Sequence, residues 1–461
     1  MHARRFLYRA TARLMAALVA LMSVALAEAD AQQARQKPPP LIRDAEIEGL
    51  LRLYTRPIFK AAGINPKAVT VYVLNDRQIN AFVAGGQRIF INTGLLLQAD
   101  TPNEVIGVLA HETGHIAGGH LARMGVEIDS ANYTKIIGML LGLAAIAGGV
   151  AAGNGEVAQA GQGIIIGSQG LAQRNFLTYA RGMEASADQA ALKFLNATHQ
   201  SARGMLTLFE KLASENIAAL ADVDPYVLSH PMPMDRIHSL EIEAKKSPYW
   251  DAKDPPALIL RHQLVQAKLT GFIGGAQAVM QKYPPSDQSM PARYARAIAM
   301  FRRGDINNAL PIIDGLTKEL PEDPYFWELK AQALLENGRA AEAVAPVHKA
   351  LDLLPGNGLI QILGAQAYID TATPENAQQA IKLLRQAQRT EGETTETYRL
   401  LARAYALTGD VPRAELATAE AALQMGDMKL AMQKARSAQA AFKKGTPEWT
   451  RASDVMSFAG R

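Results

Sequence analysis

The sequence predicts a mainly α-helical protein in two parts: a helix-rich domain carrying a small β-sheet, followed by an α-solenoid of helical hairpins. Three observations predict this. Apolar residues recur at helical spacing along most of the chain, two short β-type runs meet at a glycine pair near the front, and the second half repeats every 34 residues. At 461 residues, 48% hydrophobic and 20% charged, the composition is globular and the length exceeds one ordinary domain.

Residues 1–31 read as a secretory signal peptide with cleavage near residue 27 or 31. Arg4, Arg5, Arg9 and Arg13 precede the apolar run LMAALVALMSVALA, small residues stand at Ala25, Ala27, Ala29 and Ala31, and no acidic residue occurs before Glu28. The other reading is a retained membrane anchor, but a run of 14 residues is shorter than the ~20 that a span needs. Removing this segment subtracts the four arginines from the net charge of +4, which leaves the remainder near neutral and withdraws the only compositional support for nucleic-acid binding. There is no cysteine, so an oxidising compartment could add no disulfide.

The first domain is placed at 41–250. A helix is expected from Leu41 to about Gly63, with Ile47, Leu50, Leu51 and Leu53 at helical spacing. Strands are expected over 69–76 and 79–96, with Gly85 and Gly86 as a hairpin turn. The stretch RIFIN reads either as an open edge that takes an extended substrate by β-addition or as an ordinary core strand. Thr101 to Asn103 give cap and proline signals for a helix beginning near Glu104. From Ile136 to Gln173 the only charged residue is Glu156. Glycines interrupt this run, so a buried or lid-like helical hairpin is expected in preference to a span, with contact to a membrane surface as a further reading.

The second domain is placed at 255–461. Gly304 and Gly338, Ala309 and Ala343, and Pro321 and Pro355 are each 34 apart, while Ala377 keeps the spacing alone. Gly271, Gly409 and Gly426 are each followed by alanine at Ala276, Ala414 and Ala431. This is the period of tetratricopeptide repeats, in which small residues allow close helix contact and proline ends the second helix. Four or five units are expected, with a concave surface suited to binding.

The chemistry concentrates in LAHETGHIAGGH, residues 109–120. His111 and His115 are four apart and share one helix face, with Glu112 beside them. In H-E-x-x-H two neutral imidazoles bind zinc and the glutamate takes a proton from the metal-bound water. The bland alternative, two core histidines, would leave Glu112 buried without a partner. His120 follows His111 by nine residues, which would rotate it to the opposite side of the same helix, so no metal role is assigned to it. Downstream, YARGMEASADQAAL sets Glu184 and Asp188 one helical turn apart. Glu184 could ligate zinc while Asp188 accepts the ring N–H of a ligating histidine, or both could lie on an exposed acidic face. Arg181 and Tyr179 are read as structural.

Taken in order, NAF at 80–82, INTGLL at 91–96, HETGH, EASAD and SHPMPMDRI at 229–237 resemble the HtpX-like zinc metallopeptidases, which are related to the prenyl-protein CAAX proteases. With its signal and repeat tail, the chain is similar to the periplasmic branch found in Gram-negative bacteria. The resemblance implies a zincin-like, gluzincin-type domain in which His111, His115 and Glu184 hold one zinc ion per chain, Glu112 is the catalytic base and Asp188 orients His111. The family's H-P-x4-R element falls on His230, Pro231 and Arg236. His230 or Arg236 is expected to donate to the oxyanion of the tetrahedral intermediate. Alternatively, His230 closes the fourth metal position as a latch.

The resemblance further implies a periplasmic endopeptidase in quality control and assembly of outer-membrane proteins. Its substrates would be unfolded or misassembled outer-membrane proteins, selected with help from the repeats and near the barrel-assembly machinery. The alternative is a non-proteolytic chaperone or assembly adaptor that binds partners through its solenoid.

Overall fold

A computed structural model describes residues 39–120, 170–218, 230 and 234–460. The signal segment and most of the low-charge insert, 136–169, lie outside the described residues. Among the described residues, no helix is long and apolar enough to cross a membrane.

The chain enters through a two-residue strand, β1 (Leu41–Ile42), where the sequence predicted the start of a helix. Helix α1 (Ala45–Ala61) begins later because Asp44 caps it, its carboxylate accepting from the amides of Glu46 and Ile47 at 3.0 and 2.9 Å. Ile47, Leu50, Leu51, Tyr54 and Ile58 form its buried face.

Strands β2 (Thr70–Leu74), β3 (Ala81–Ala84) and β4 (Arg88–Asn92) complete a four-stranded sheet of order β1-β2-β4-β3. The β3/β4 hairpin turns at Gly85 and Gly86, with φ of 56° and 95°, values glycine adopts without steric cost. Because β4 runs parallel to β2 and antiparallel to β3, RIFIN is a central strand and β3 takes the edge. That removes the open-edge reading of RIFIN: Ile89 and Ile91 are core residues.

The predicted strand over 79–96 also stops early. Thr93 opens a short helix, α2 (Thr93–Gln98), as its hydroxyl donates to the Asp76 carbonyl at 2.7 Å and the Gly94 amide donates to the same oxygen at 2.8 Å.

Helix α3 (Pro102–Ala117) is nearly all buried, with Pro102 in its first turn. It packs against α4 (Gly170–Ala197) and α5 (Arg203–Ala218). Gly107 and Gly114 permit this, since a Cβ at 107 would fall 2.4 Å from Met205 Cβ and one at 114 would fall 2.7 Å from the Ala187 carbonyl. Helix α6 (Met234–Ala244) closes the domain against α4 and α5.

The remainder is helical throughout: α7 (Pro256–Ile273), α8 (Gly275–Lys282), α9 (Met290–Phe301), α10 (Ile306–Glu319), α11 (Pro324–Glu336), α12 (Ala340–Leu353), α13 (Gly358–Asp370), α14 (Pro374–Glu391), α15 (Thr395–Leu407), α16 (Val411–Gln424), α17 (Met428–Ala441) and α18 (Pro447–Ala459). These are twelve helices, enough for six two-helix units, whereas the sequence period suggested four or five. Ala309, Ala343, Ala377 and Ala431 are all fully buried between helices. The first pair is less regular because α7 serves two cores. Val265 and Leu269 face the core of the first domain, while Leu264 and Ala267 face α9 and α10.

Candidate metal centre

Helix α3 places His111, Glu112 and His115 inside the domain, and the Gly114 contact draws α4 close enough to deliver Glu184 and Asp188 to the same point. Four side chains, His111, His115, Glu184 and His230, bring one donor atom each to within 4.8 Å of one another. His111 Nε2 lies 3.1 Å from His115 Nε2, 3.3 Å from Glu184 Oε2 and 3.4 Å from His230 Nδ1. Glu184 Oε1 lies 3.3 Å from His115 Nε2, and both its oxygens are 3.1 Å from His230 Nδ1.

These distances have a simple meaning. Ligands at ~2.0–2.1 Å from a tetrahedral zinc are separated by roughly 3.3 Å, the spacing found among these atoms. Two neutral imidazoles whose bare nitrogens face each other at 3.1 Å would repel, and a cation between them removes that cost. The donor set therefore fits a divalent metal with nitrogen and oxygen preference.

The surrounding groups are arranged around the rings. On the far side of His111, Nδ1 sits 3.0 Å from Asp188 Oδ1. Asp188 is in turn held by Arg236, whose Nε and Nη2 donate to it at 2.7 and 2.8 Å. The third nitrogen of that guanidinium, Nη1, reaches Glu184 Oε2 at 3.0 Å. Arg236 is thus engaged with two carboxylates. Glu112 is fully buried, and His230 Nε2 stands 3.4 Å from its Oε1.

Electrostatics follow from this crowding. Burial pushes the Glu112 carboxyl up, partly opposed by the neighbouring His230 and His111. Burial alone would raise Glu184 as well, but His230, His111 and His115 together hold it well below the usual range. Asp188 is likewise lowered, since Arg236 and His111 outweigh its desolvation. His111 rises to about 10 because Asp188 and Glu184 overcome its burial. His115 falls to about 4, mainly through burial, with Glu184 opposing and the like-charged His111 reinforcing. A metal held here would need the inward nitrogens of both rings to be free of protons.

One expectation needs correction. The rotation that would carry His120 to the far side of the helix requires the helix to continue, and α3 ends at Ala117. Gly118 and then Gly119, at φ 62°, turn the chain back so that His120 Nδ1 lies 3.0 Å from His115 Nδ1. The signal that could have revealed this was the Gly-Gly pair immediately ahead of His120. Arg181 is exposed on α4, and Tyr179's side chain lies outside the described residues.

Residues 46–244 match Peptidase family M48, and residues 294–358 match the tetratricopeptide repeat. The chain is 24% identical over 392 residues to the beta-barrel assembly-enhancing protease of Yersinia pestis, covering 79% of this chain and 77% of that protein. It is 29% identical over 271 residues to a putative beta-barrel assembly-enhancing protease of Vibrio cholerae, with coverages of 56% and 52%. Over a shorter stretch of 173 residues it is 31% identical to metalloprotease LoiP of Escherichia coli, covering 37% of this chain and 62% of that protein.

Proposed function

We propose that this chain, a metalloendopeptidase that joins a peptidase family M48 domain to tetratricopeptide repeats, is a periplasmic zinc enzyme acting in the quality control and assembly of outer-membrane β-barrel proteins. The observation that carries the hydrolytic reading is the cluster of His111, His115 and Glu184 at tetrahedral-edge spacing with Glu112 buried beside it.

His111, His115 and Glu184 would hold one zinc ion. When bound, zinc supplies Lewis acidity, polarising a peptide carbonyl and making water a nucleophile near neutral pH. Glu112 accepts the proton given up by the attacking water and passes it to the leaving amine. Its buried setting raises its pKa toward the range in which such a shuttle works. Asp188 keeps His111 in the tautomer with Nε2 turned inward, and Arg236 fixes Asp188. We assign Arg236 to this clamp and leave donation to the oxyanion to other groups.

For His230 the latch is the better supported of the two roles. Its Nδ1 sits among the other three donors and its Nε2 faces Glu112, so one side chain occupies the fourth position and also engages the base. Substrate would enter as an extended strand beside β3, the one of the two edge strands whose Val83 amide lies next to the Glu112 carboxylate. The repeats would select the client and bring the chain near the barrel-assembly machinery, in keeping with the names of the Yersinia pestis and Vibrio cholerae relatives.

The alternative, a non-proteolytic assembly adaptor, leaves Glu112 without a purpose at a site where its burial is costly. An assay of unfolded outer-membrane protein cleavage by the wild type, Glu112→Gln and His230→Ala separates these readings. The expected result is cleavage that Glu112→Gln abolishes and His230→Ala increases. Equal product from the wild type and Glu112→Gln would remove the enzymatic assignment, and a large loss with His230→Ala would replace the latch by the donor role.

A further inference from the structure

We propose that His120 is a positioning residue for the metal centre: it accepts a hydrogen bond from the ring of His115 and thereby fixes the tautomer in which His115 presents a bare nitrogen to the metal. The inference rests on reading His115 as a ligand.

The argument begins with which nitrogen points where. His115 Nε2 faces inward, 3.3 Å from Glu184 Oε1 and 3.1 Å from His111 Nε2. Its Nδ1 faces outward, 3.0 Å from Nδ1 of His120. A neutral imidazole carries a single N–H. If Nε2 is to be bare for ligation, the proton must sit on Nδ1, and the nitrogen that meets it must accept. His120 Nδ1 is therefore bare, and the proton of His120 sits on its Nε2. One contact sets the state of both rings.

The local backbone is built to make that contact. His120 is 4% exposed, and its ring stands edge-on to His115 with centroids 5.0 Å apart and planes at 82°. It reaches there through the Gly119 turn, at φ 62°. At Gly118 a Cβ would fall 2.3 Å from His120 Nε2, so the imidazole fills the space that a side chain would need.

The two ligand histidines are thus backed by different chemistry. His111 leans on the carboxylate of Asp188 and His115 on a neutral ring. Charge explains the difference. Glu112, Glu184 and Asp188 already place three carboxyl groups in one buried volume, each less than 10% exposed. A further carboxylate behind His115 would add to their mutual repulsion, whereas a histidine accepts the same proton without adding charge.

The test is zinc affinity, measured on the full-length protein by competition with a chromophoric chelator, for the wild type, His120→Asn, His120→Phe and His120→Leu. Asparagine can set its amide oxygen close to where Nδ1 stands; phenylalanine and leucine cannot accept. The expected result is a 10- to 100-fold loss of affinity in His120→Phe and His120→Leu, with substantial recovery in His120→Asn. The melting temperatures of the chelator-treated proteins serve as control and should differ little. Wild-type affinity in both apolar variants would overturn the proposal, as would an asparagine variant no better than they are. Absence of zinc binding by the wild type would instead overturn the metal reading of the cluster, so the two failures are distinguishable.

Discussion

Arg236 carries the charge balance of the centre. It donates to both oxygens of Asp188 and to one of Glu184, and both carboxylates are almost wholly withdrawn from water. Breaking a buried ion pair by deleting one partner costs ~3–5 kcal/mol, because the remaining charge stays uncompensated. Arg236→Met should therefore destabilise the metal-free protein by about that amount in a denaturant titration with chelator present, and Arg236→Lys should recover part of the loss without restoring the fork. A methionine variant as stable as the wild type would show that Arg236 is dispensable to the carboxylates. At this scale the sequence was legible where spacing within one helix decides geometry. His111 with His115, and Glu184 with Asp188, share faces because each pair is four apart. Contacts that depend on where the chain goes after a helix ends were not legible: the return of His120 follows from a glycine turn, and the aim of Arg236 follows from how α6 packs on α4.

Repeats make the same point for whole elements. The 34-residue period was readable because a turn residue and a buried alanine recur together, and Gly304 and Gly338 do occupy the turn with φ of 81° and 74°. The next position in the series is 372, and it holds alanine. Ala372 nevertheless adopts φ 56°, the only described residue besides His199 to do so without being glycine. The architecture here imposes the left-handed turn on a residue that resists it, which is why Ala377 keeps the 34-residue spacing without a glycine ahead of it. A non-glycine residue in that region costs roughly 1–2 kcal/mol, partly offset by the greater freedom of glycine in the unfolded chain. Ala372→Gly should consequently stabilise the solenoid by up to ~1 kcal/mol, seen as a rise in unfolding midpoint, whereas a neutral or destabilising effect would mean that the turn relaxes to suit alanine. The sheet was less legible than the repeats. Period-2 alternation located β2, β3 and β4, but it could not say that β4 lies between the other two, because strand order is decided by long-range pairing.

The two halves of the molecule meet through buried charge. Lys268 on α7 is fully buried, and its Nζ lies 2.7 Å from Asp44, 3.4 Å from Glu46 and 3.8 Å from Glu328. Asp44 and Glu46 open the first helix of the peptidase domain, while Glu328 belongs to α11 of the repeats. Tyr294 on α9 donates to Glu46 at 2.7 Å, Arg261 pairs with Asp323, and Arg43 reaches Glu391 on α14. Gly49 leaves room for the Tyr325 hydroxyl, which lies 2.2 Å from where a Cβ would stand. The peptidase domain and solenoid are therefore joined by an ionic junction that one lysine cannot neutralise alone. Burial, only partly countered by Lys268 and reinforced by Asp44, raises Glu46 to about 7 and Glu328 to about 8. Both groups bind protons more tightly in the folded protein than in the unfolded chain, whose glutamates titrate near ~4.3. The stability they confer is complete below that value and is lost as pH rises through 7 to 8. Lys268 is shifted upward, so it stays protonated across this window and adds no slope. Folding stability measured by denaturant from pH 5 to pH 8.5 should decline, and Glu328→Gln should flatten that decline by removing one ionisation from the junction. The variant should compare more favourably with the wild type at pH 8.5 than at pH 5. Parallel curves for the two proteins would mean that Glu328 ionises as freely in the folded junction as in the unfolded chain.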